Sequence, residues 1–362
     1  MTVTLALGQI VSGRLSDKFK PTNMILYGLL LATAVNLLFP LLPFSVPLMT
    51  VLWGINGFAH SMIWPPMVRI LVAANDGDDM YGYSVVRISF GASVATILLY
   101  LIAPLIISVS GSWRGIFPVS ILLALTTILL WLLLQKRIPY SFSEQKEEAA
   151  EKSTDNRKFR IPKAALFPLV LILLGILIHG MLRDSFATWM PTYLVENYGL
   201  SNEISIFYGI IPAIFQIISY AAYGAIYRRW FKNEVLCAAA IFGTSAGVAL
   251  LLLLLYGKSN ALVATLCITT ISGCMHGVNL MLITHVPKRF KRYGNVSTFA
   301  GIVNACTYAG DAISTYGISL LATRFSWYVC LAVCLGLAAC GTVCCLLATR
   351  PWEKFAVHDT EK

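Results

Sequence analysis

Residues 166–182 read LFPLVLILLGILIHGML, and RDSFATWMPTYL follows at once over residues 183–194. The run is long and apolar enough to predict a membrane-spanning helix, and Arg183 lies well inside that membrane-length segment. A guanidinium at such a depth costs at least about 2.5 to 3.5 kcal/mol, so Arg183 indicates a functional site. The alternative is that Arg183 reaches the outer interface or pairs with Asp184.

The composition of the whole chain is typical of a polytopic membrane protein. Of its 362 residues, 57% are hydrophobic and 12% are charged, and a soluble domain with these values would be covered in apolar patches. The net charge of +10 does not indicate nucleic acid binding, because the basic residues gather in short loops between apolar runs. The nine cysteines contain no CxxC pair and no zinc-ligand spacing, so no metal or cofactor is predicted.

Ten apolar runs of spanning length follow a shorter apolar stub at residues 1–12. A spanning helix needs about 20 residues, so we expect that the stub does not cross the membrane and that one helix before Met1 has been lost. The runs cover approximately residues 22–42, 46–73, 83–108, 115–134, 164–194, 201–227, 235–256, 261–286, 295–322 and 327–348.

Positive charge divides unevenly between alternate loops. One side carries 21 of the 27 Lys and Arg residues, including those of the charged stretch before Lys163, and the opposite loops carry only Arg114, Lys258 and Arg324. The excess of positive charge on cytoplasmic loops places the charged stretch and the C-terminus in the cytoplasm of a multi-pass protein of the cell membrane.

The pattern predicts an all-α membrane protein of two pseudo-symmetric helical bundles. Two six-helix halves joined by a cytoplasmic linker is an arrangement expected of transporters, and eleven of the twelve helices would be present. The predicted domains are a first bundle (1–136), a linker (137–163), a second bundle (164–349) and a cytoplasmic tail (350–362).

Four stretches carry a family resemblance: GQIVSGRLSDKFKP over residues 8–21, NGFAHSMIWPPMVRIL over 56–71, LRDSFATWMPTYL over 182–194 and HGVNLMLITHVPKRFKRYGNVSTFAGIVNACTYAGD over 276–311. Together they resemble the major facilitator superfamily, and within it the organophosphate:phosphate antiporters that move glycerol phosphate and hexose phosphates. The resemblance implies the major facilitator fold. It also implies a charge lock at Asp17 and Lys18 that holds the cytoplasmic side closed.

The same resemblance implies a substrate site. Arg183 and Tyr308 fall on binding positions of the family, while Gln9 and His276 stand where the family has a lysine and a tyrosine. Two further candidates are charged residues inside predicted helices: Arg87 in the run 83–108, for which a lipid headgroup contact is an equal alternative, and Asp311 in the run 295–322.

Departures from the family weaken the expected phosphate pocket. Phe90 and Gly180 replace a histidine and a tyrosine, and the family's arginine on the first helix has no counterpart here. Since a doubly charged phosphate ester is best held by several cationic donors, these losses favour a singly charged anion such as a carboxylate.

The sequence therefore predicts a secondary transporter, not an enzyme, that moves a small organic anion by alternating access. The phosphate-ester and carboxylate alternatives both stay open, as does a proton or phosphate as the counter-ion. The lipid bilayer is the other expected partner, and a monomer is predicted. A membrane-bound sensor of a sugar phosphate with the same fold is the alternative function.

Overall fold

The structure is a computed structural model, and it describes residues 1–43, 45–74, 78–137, 163–183, 185–290 and 296–360. Within these ranges every regular element is helical, with no strand, which confirms the predicted all-α class. The α-helices are α1 (Thr2–Lys18), α2 (Pro21–Leu41), α3 (Val46–Ser61), α4 (Trp64–Ala74), α5 (Asp78–Ser110), α6 (Ile116–Leu134), α7 (Lys163–Arg183), α8 (Ser185–Tyr198), α9 (Asn202–Phe207), α10 (Ile210–Trp230), α11 (Glu234–Leu254), α12 (Ala261–Val278), α13 (Val286–Lys288), α14 (Val296–Arg324) and α15 (Trp327–Thr360).

Nine helical spans in the described part of the chain are long and apolar enough to cross a membrane. The eleven predicted segments comprise these nine, the 17-residue α1 and the 29-residue α14. α14 is long enough to span a bilayer, but it is absent from the nine because it is more polar. Its buried polar residues are Asn304, Thr307, Asp311 and Ser314. A long helix with a buried polar face is typical of a segment that lines a polar interior.

Local sequence signals account for where several helices begin. Pro21 lies in the first turn of α2, where its missing N–H would be unpaired in any residue. The side chain of Asn233 accepts hydrogen bonds from the backbone N–H groups of Val235 and Leu236, and Asn260 caps α12 in the same way. Pro65 lies in the first turn of α4, so the span 46–74 is broken into α3 and α4.

The described residues divide into two compact units. Unit 1 is formed within Met1–Tyr81, Leu101–Ile161 and Pro287–Ala305, and unit 2 within Gly82–Tyr100, Pro162–Val286 and Cys306–Lys362. Most of the predicted linker lies outside the described residues, so the predicted domain boundaries stay a prediction.

Unit 2 contains the most enclosed spans. Within an apolar window of 18 residues in each span, the share of buried residues is 67% for the span 261–285 and 56% for the span 165–183, compared with 6% for α6 in unit 1. α7 and α11 both pack against α15, and α10 packs against α12. The interior of unit 2 is therefore built around α7 and α12, the helices that carry Arg183 and His276.

Candidate substrate-binding site

Two glycines bring the backbones of α7 and α14 into direct contact. A Cβ atom at Gly180 would lie 2.8 Å from the carbonyl carbon of Thr307, and one at Gly310 would lie 3.0 Å from the backbone nitrogen of Met181. Small residues allow membrane helices to approach this closely. The crossing leaves no room for a side chain at Gly180, where the family resemblance implies a tyrosine, because the backbone of Thr307 occupies that space.

This crossing places Arg183, the last residue of α7, beside Tyr308 of α14. The guanidinium carbon of Arg183 lies 6.0 Å from the centroid of the Tyr308 ring, at the outer limit of a cation–π contact. The hydroxyl of Ser272 on α12 donates a hydrogen bond of 3.0 Å to the Arg183 carbonyl oxygen and so ties the end of α7 to α12. Arg183 is half-buried, and Asp184, its predicted alternative partner, lies outside the described residues.

Asp311 follows Tyr308 by three residues on α14, and its side chain is 7% exposed. The hydroxyl of Thr315 donates to Asp311 Oδ1 at 3.3 Å. The indole Nε1–H of Trp189 on α8 donates to the Thr315 carbonyl oxygen at 3.0 Å. Since Trp189 belongs to the same PTYL-containing stretch as Arg183, that stretch holds α14 at two points.

His276 lies on α12 and faces α10. Its ring centroid is 5.4 Å from that of Tyr220, and the Tyr220 hydroxyl donates to Asn279 Oδ1 at 3.3 Å. Asn279 begins a π-helix, Asn279–His285, and the ring of His285 lies 5.1 Å from Tyr227. Wide helical turns of this kind are frequent at functional sites.

Gln9 lies in unit 1, on α1, and is 1% exposed. Its side-chain oxygen accepts no hydrogen bond from the described residues. The neighbouring Ser12 donates to the carbonyl oxygen of Ser61 on α3 at 2.6 Å, so Gln9 lies on a closely packed helix pair. A buried amide oxygen without a partner is costly, and it offers an acceptor to a ligand hydroxyl.

The remaining predicted residues lie in other surroundings. Arg87 on α5 is exposed, with its guanidinium carbon 4.4 Å from the Tyr83 ring centroid, and Phe90 is exposed on the same helix. Lys18 is exposed at the end of α1, and the side chain of Asp17 lies outside what the structure describes. Beside this predicted charge lock, Arg69 on α4 donates a hydrogen bond to the carbonyl oxygen of Ser16.

The structure thus collects Arg183, Tyr308, Asp311 and His276 on three elements of one unit, with Gln9 in the other unit. Sequence reasoning did not find Ser272, Thr315, Tyr220 or the π-helix. Ser272 lies four residues before His276, on the same helical face, and this spacing was the available signal. No local sequence pattern predicted the roles of Thr315 and Tyr220 or the π-helix.

Comparison with known proteins assigns this arrangement to a family. The sequence pattern of the Major Facilitator Superfamily matches residues 1–313. The chain belongs to this superfamily. Among its relatives, this major facilitator chain is 24% identical to the glycerol-3-phosphate transporter of Bacillus subtilis (strain 168) over 352 residues, 90% of this chain and 77% of that protein.

A second relative matches over a shorter part of this major facilitator chain. The probable hexose phosphate transport protein of Chlamydia trachomatis serovar D is 35% identical over 69 residues, 19% of this chain and 15% of that protein. Both relatives are named as transporters, which confirms the predicted family resemblance. Neither favours the sensor alternative.

Solved structures of other transporters confirm the major facilitator fold. A fucose:proton symporter of Escherichia coli matches with a TM-score of 0.68 at 14% identity, over 96% of this chain and 89% of that one. A proton:xylose symporter matches with a TM-score of 0.70 at 13% identity, over 94% of this chain and 83% of that one. At such identities the likeness concerns the fold alone.

Proposed function

We propose that this major facilitator protein moves a small organic anion across the cell membrane by alternating access, with Arg183 as the cation that binds it. The observation that carries the proposal is the position of Arg183. It ends an enclosed spanning helix, and both Ser272 and Tyr308 hold it against neighbouring helices. Arginine inside a spanning region marks a substrate or ion pathway, and its planar fork binds carboxylates and phosphates with two hydrogen bonds.

The substrate class follows from the charges around Arg183. The same part of unit 2 holds the guanidinium of Arg183 and the carboxyl group of Asp311, which offset each other when both are ionised. This balance favours a monoanion with hydroxyl groups, such as a sugar acid, over the doubly charged phosphate ester that the name of the Bacillus subtilis relative indicates.

A matched pair of three-carbon substrates tests the proposal. In proteoliposomes that contain the full-length protein, we expect uptake of radiolabelled D-glycerate to exceed uptake of glycerol 3-phosphate at pH 7.5. The two compounds share their hydroxyl-bearing carbon skeleton and differ in whether a carboxylate or a phosphate carries the charge. Uptake of glycerol 3-phosphate alone would contradict the proposed preference, and uptake of neither would contradict transport of a small hydroxylated anion.

The orientation in the membrane is part of the same proposal. The division of positive charge supports a cytoplasmic linker and C-terminus, and it supports an outside position for Lys258, in the loop after α11. We expect a membrane-impermeant maleimide added to intact cells to label Lys258→Cys and to leave Ser153→Cys unlabelled. The wild-type chain with its nine native cysteines gives the background, and permeabilised cells show that both introduced thiols react. The reverse pattern would contradict the orientation.

A further inference from the structure

Asp311 lies near the middle of α14, a helix long enough to span a bilayer. α14 runs from Val296 to Arg324, and at about 1.5 Å per residue Asp311 lies about 20 Å from either end. Its side chain is 7% exposed. An ionised carboxyl group at such a depth is costly, and in membrane proteins such residues serve ion or proton pathways.

Three other helices contact α14 on either side of Asp311: α7 at Gly310, α8 at Thr315 and α15 at Ile318. His179 and Arg183 lie next to the first contact along α7, and Cys330 on α15 makes the third, since its thiol donates to the Ile318 carbonyl oxygen. His276 lies on α12, which Ser272 ties to the end of α7. Tyr308 lies on α14 itself. α8 contributes the uncharged Trp189, which holds Thr315 in place, and Thr315 in turn donates to the carboxyl oxygen.

An ionised Asp311 competes with an anionic substrate for the same cation. Side chains three residues apart on a helix are neighbours, with Cβ atoms about 5 to 6 Å apart, and the guanidinium of Arg183 lies 6.0 Å from the Tyr308 ring centroid. Gly310, the residue before Asp311, meets the backbone of Met181, two residues before Arg183, so an anion bound to Arg183 lies in the same part of unit 2 as the Asp311 carboxyl group. The bound anion and an ionised Asp311 would repel each other in a buried site, and a proton on the Asp311 carboxyl group removes that repulsion.

We propose that Asp311 is the proton-binding residue of this transporter, and that an organic anion binds Arg183 only when Asp311 holds a proton. This inference rests on the proposed function. The carboxyl oxygen takes one proton from water on the side where the anion binds, and it releases that proton on the opposite side after the anion has left. One monoanion and one proton cross together, so the cycle moves no net charge and a proton gradient drives accumulation of the anion.

Binding of D-glycerate across a pH range tests the proton site directly. The charge of D-glycerate is constant from pH 5.5 to 8, because an ordinary α-carboxyl group has a pKa of about 3.3 to 3.7. We expect the dissociation constant of the wild-type protein to rise about tenfold per pH unit once Asp311 ionises. Asp311→Asn, which imitates the protonated side chain, should bind with the affinity of the wild type at acid pH, within a fewfold, at every pH in this range.

Proteoliposomes with an imposed pH gradient give the second readout. An acidic outside should drive accumulation of D-glycerate by the wild type, and Asp311→Asn should only equilibrate it, at a reduced rate. Glu196→Gln is the matched control, since Glu196 is an exposed carboxylate of the same unit that accepts a 2.7 Å hydrogen bond from Trp327. This control should keep the wild-type pH response and the wild-type accumulation.

The variant Thr315→Val keeps the carboxyl group of Asp311. It removes the hydrogen bond that favours the ionised form of Asp311, so the midpoint of the binding profile should move to higher pH. Three results would overturn the proton site. The first is a dissociation constant of the wild type that does not change with pH, and the second is accumulation of D-glycerate by Asp311→Asn under a pH gradient. The third is binding by Asp311→Asn that is weakened equally at every pH. Failure of the wild type to bind either three-carbon anion would instead contradict the proposed function.

Discussion

Replacing Arg183 by alanine is expected to reduce uptake of the transported anion to background. Removing one partner of a buried, hydrogen-bonded charge pair costs about 3 to 5 kcal/mol, which is a loss of roughly 100- to 5,000-fold in affinity. Arg183→Lys keeps the positive charge but loses the planar fork that binds both oxygens of an anion. We expect it to lower uptake strongly as well, by roughly ten- to 100-fold for the loss of one charge-assisted hydrogen bond.

The measurement compares both Arg183 variants with the wild type at equal membrane expression, as initial uptake rates and as dissociation constants. Arg324→Ala is the matched control, because Arg324 is an exposed arginine at the end of α14 and lies outside the candidate site. It should transport at the wild-type rate. Near wild-type flux in both Arg183 variants would mean that Arg183 only reaches the membrane interface and that the substrate binds elsewhere.

The second large effect is expected at the crossing of α7 and α14. A Cβ atom in Gly180→Ala would lie 2.8 Å from the carbonyl carbon of Thr307 and 3.0 Å from its Cα atom, and would overlap the carbonyl oxygen. Backbone atoms cannot turn aside as a flexible side chain can, so the two helices must separate. Overpacking of this kind costs typically about 1 to 3 kcal/mol and occasionally more. The separation also moves Arg183 away from Tyr308.

We expect Gly180→Ala to lower both the yield of folded protein and its midpoint of thermal unfolding, measured by fluorescence-detected size-exclusion chromatography after heating. Gly310→Ala should behave likewise, because its Cβ atom would meet Leu177 and Met181. Gly336→Ala on α15 is the control, since a Cβ atom there meets no atom within 4 Å. Its stability should be unchanged or slightly higher, given the better helix propensity of alanine. Equal stability of Gly180→Ala and Gly336→Ala would contradict the close approach of α7 and α14.

The sequence alone determined the class of this protein and the positions of its spanning segments. Those features depend on local properties: the length of an apolar run, a proline such as Pro21 in the first turn of a helix, or an asparagine such as Asn233 at its start. The presence of Arg183 at the end of one apolar run and of Asp311 within another could be read in the same way. Each of these signals lies within about 20 residues of chain, and no knowledge of the partner helices is needed to read it.

Only the tertiary structure decided which faces of the helices meet. In a soluble protein the apolar stripe of a helix indicates the face that is buried, but in a membrane the residues that contact lipid are as apolar as those that contact a neighbouring helix. The meeting of Gly180 with Thr307, and of Ser272 with the Arg183 carbonyl oxygen, joins residues 127 and 89 positions apart. Backbone proximity and hydrogen bonds over such separations depend on how the helices pack, so the surroundings of Arg183 and Asp311 could not be predicted from the pattern of apolar residues.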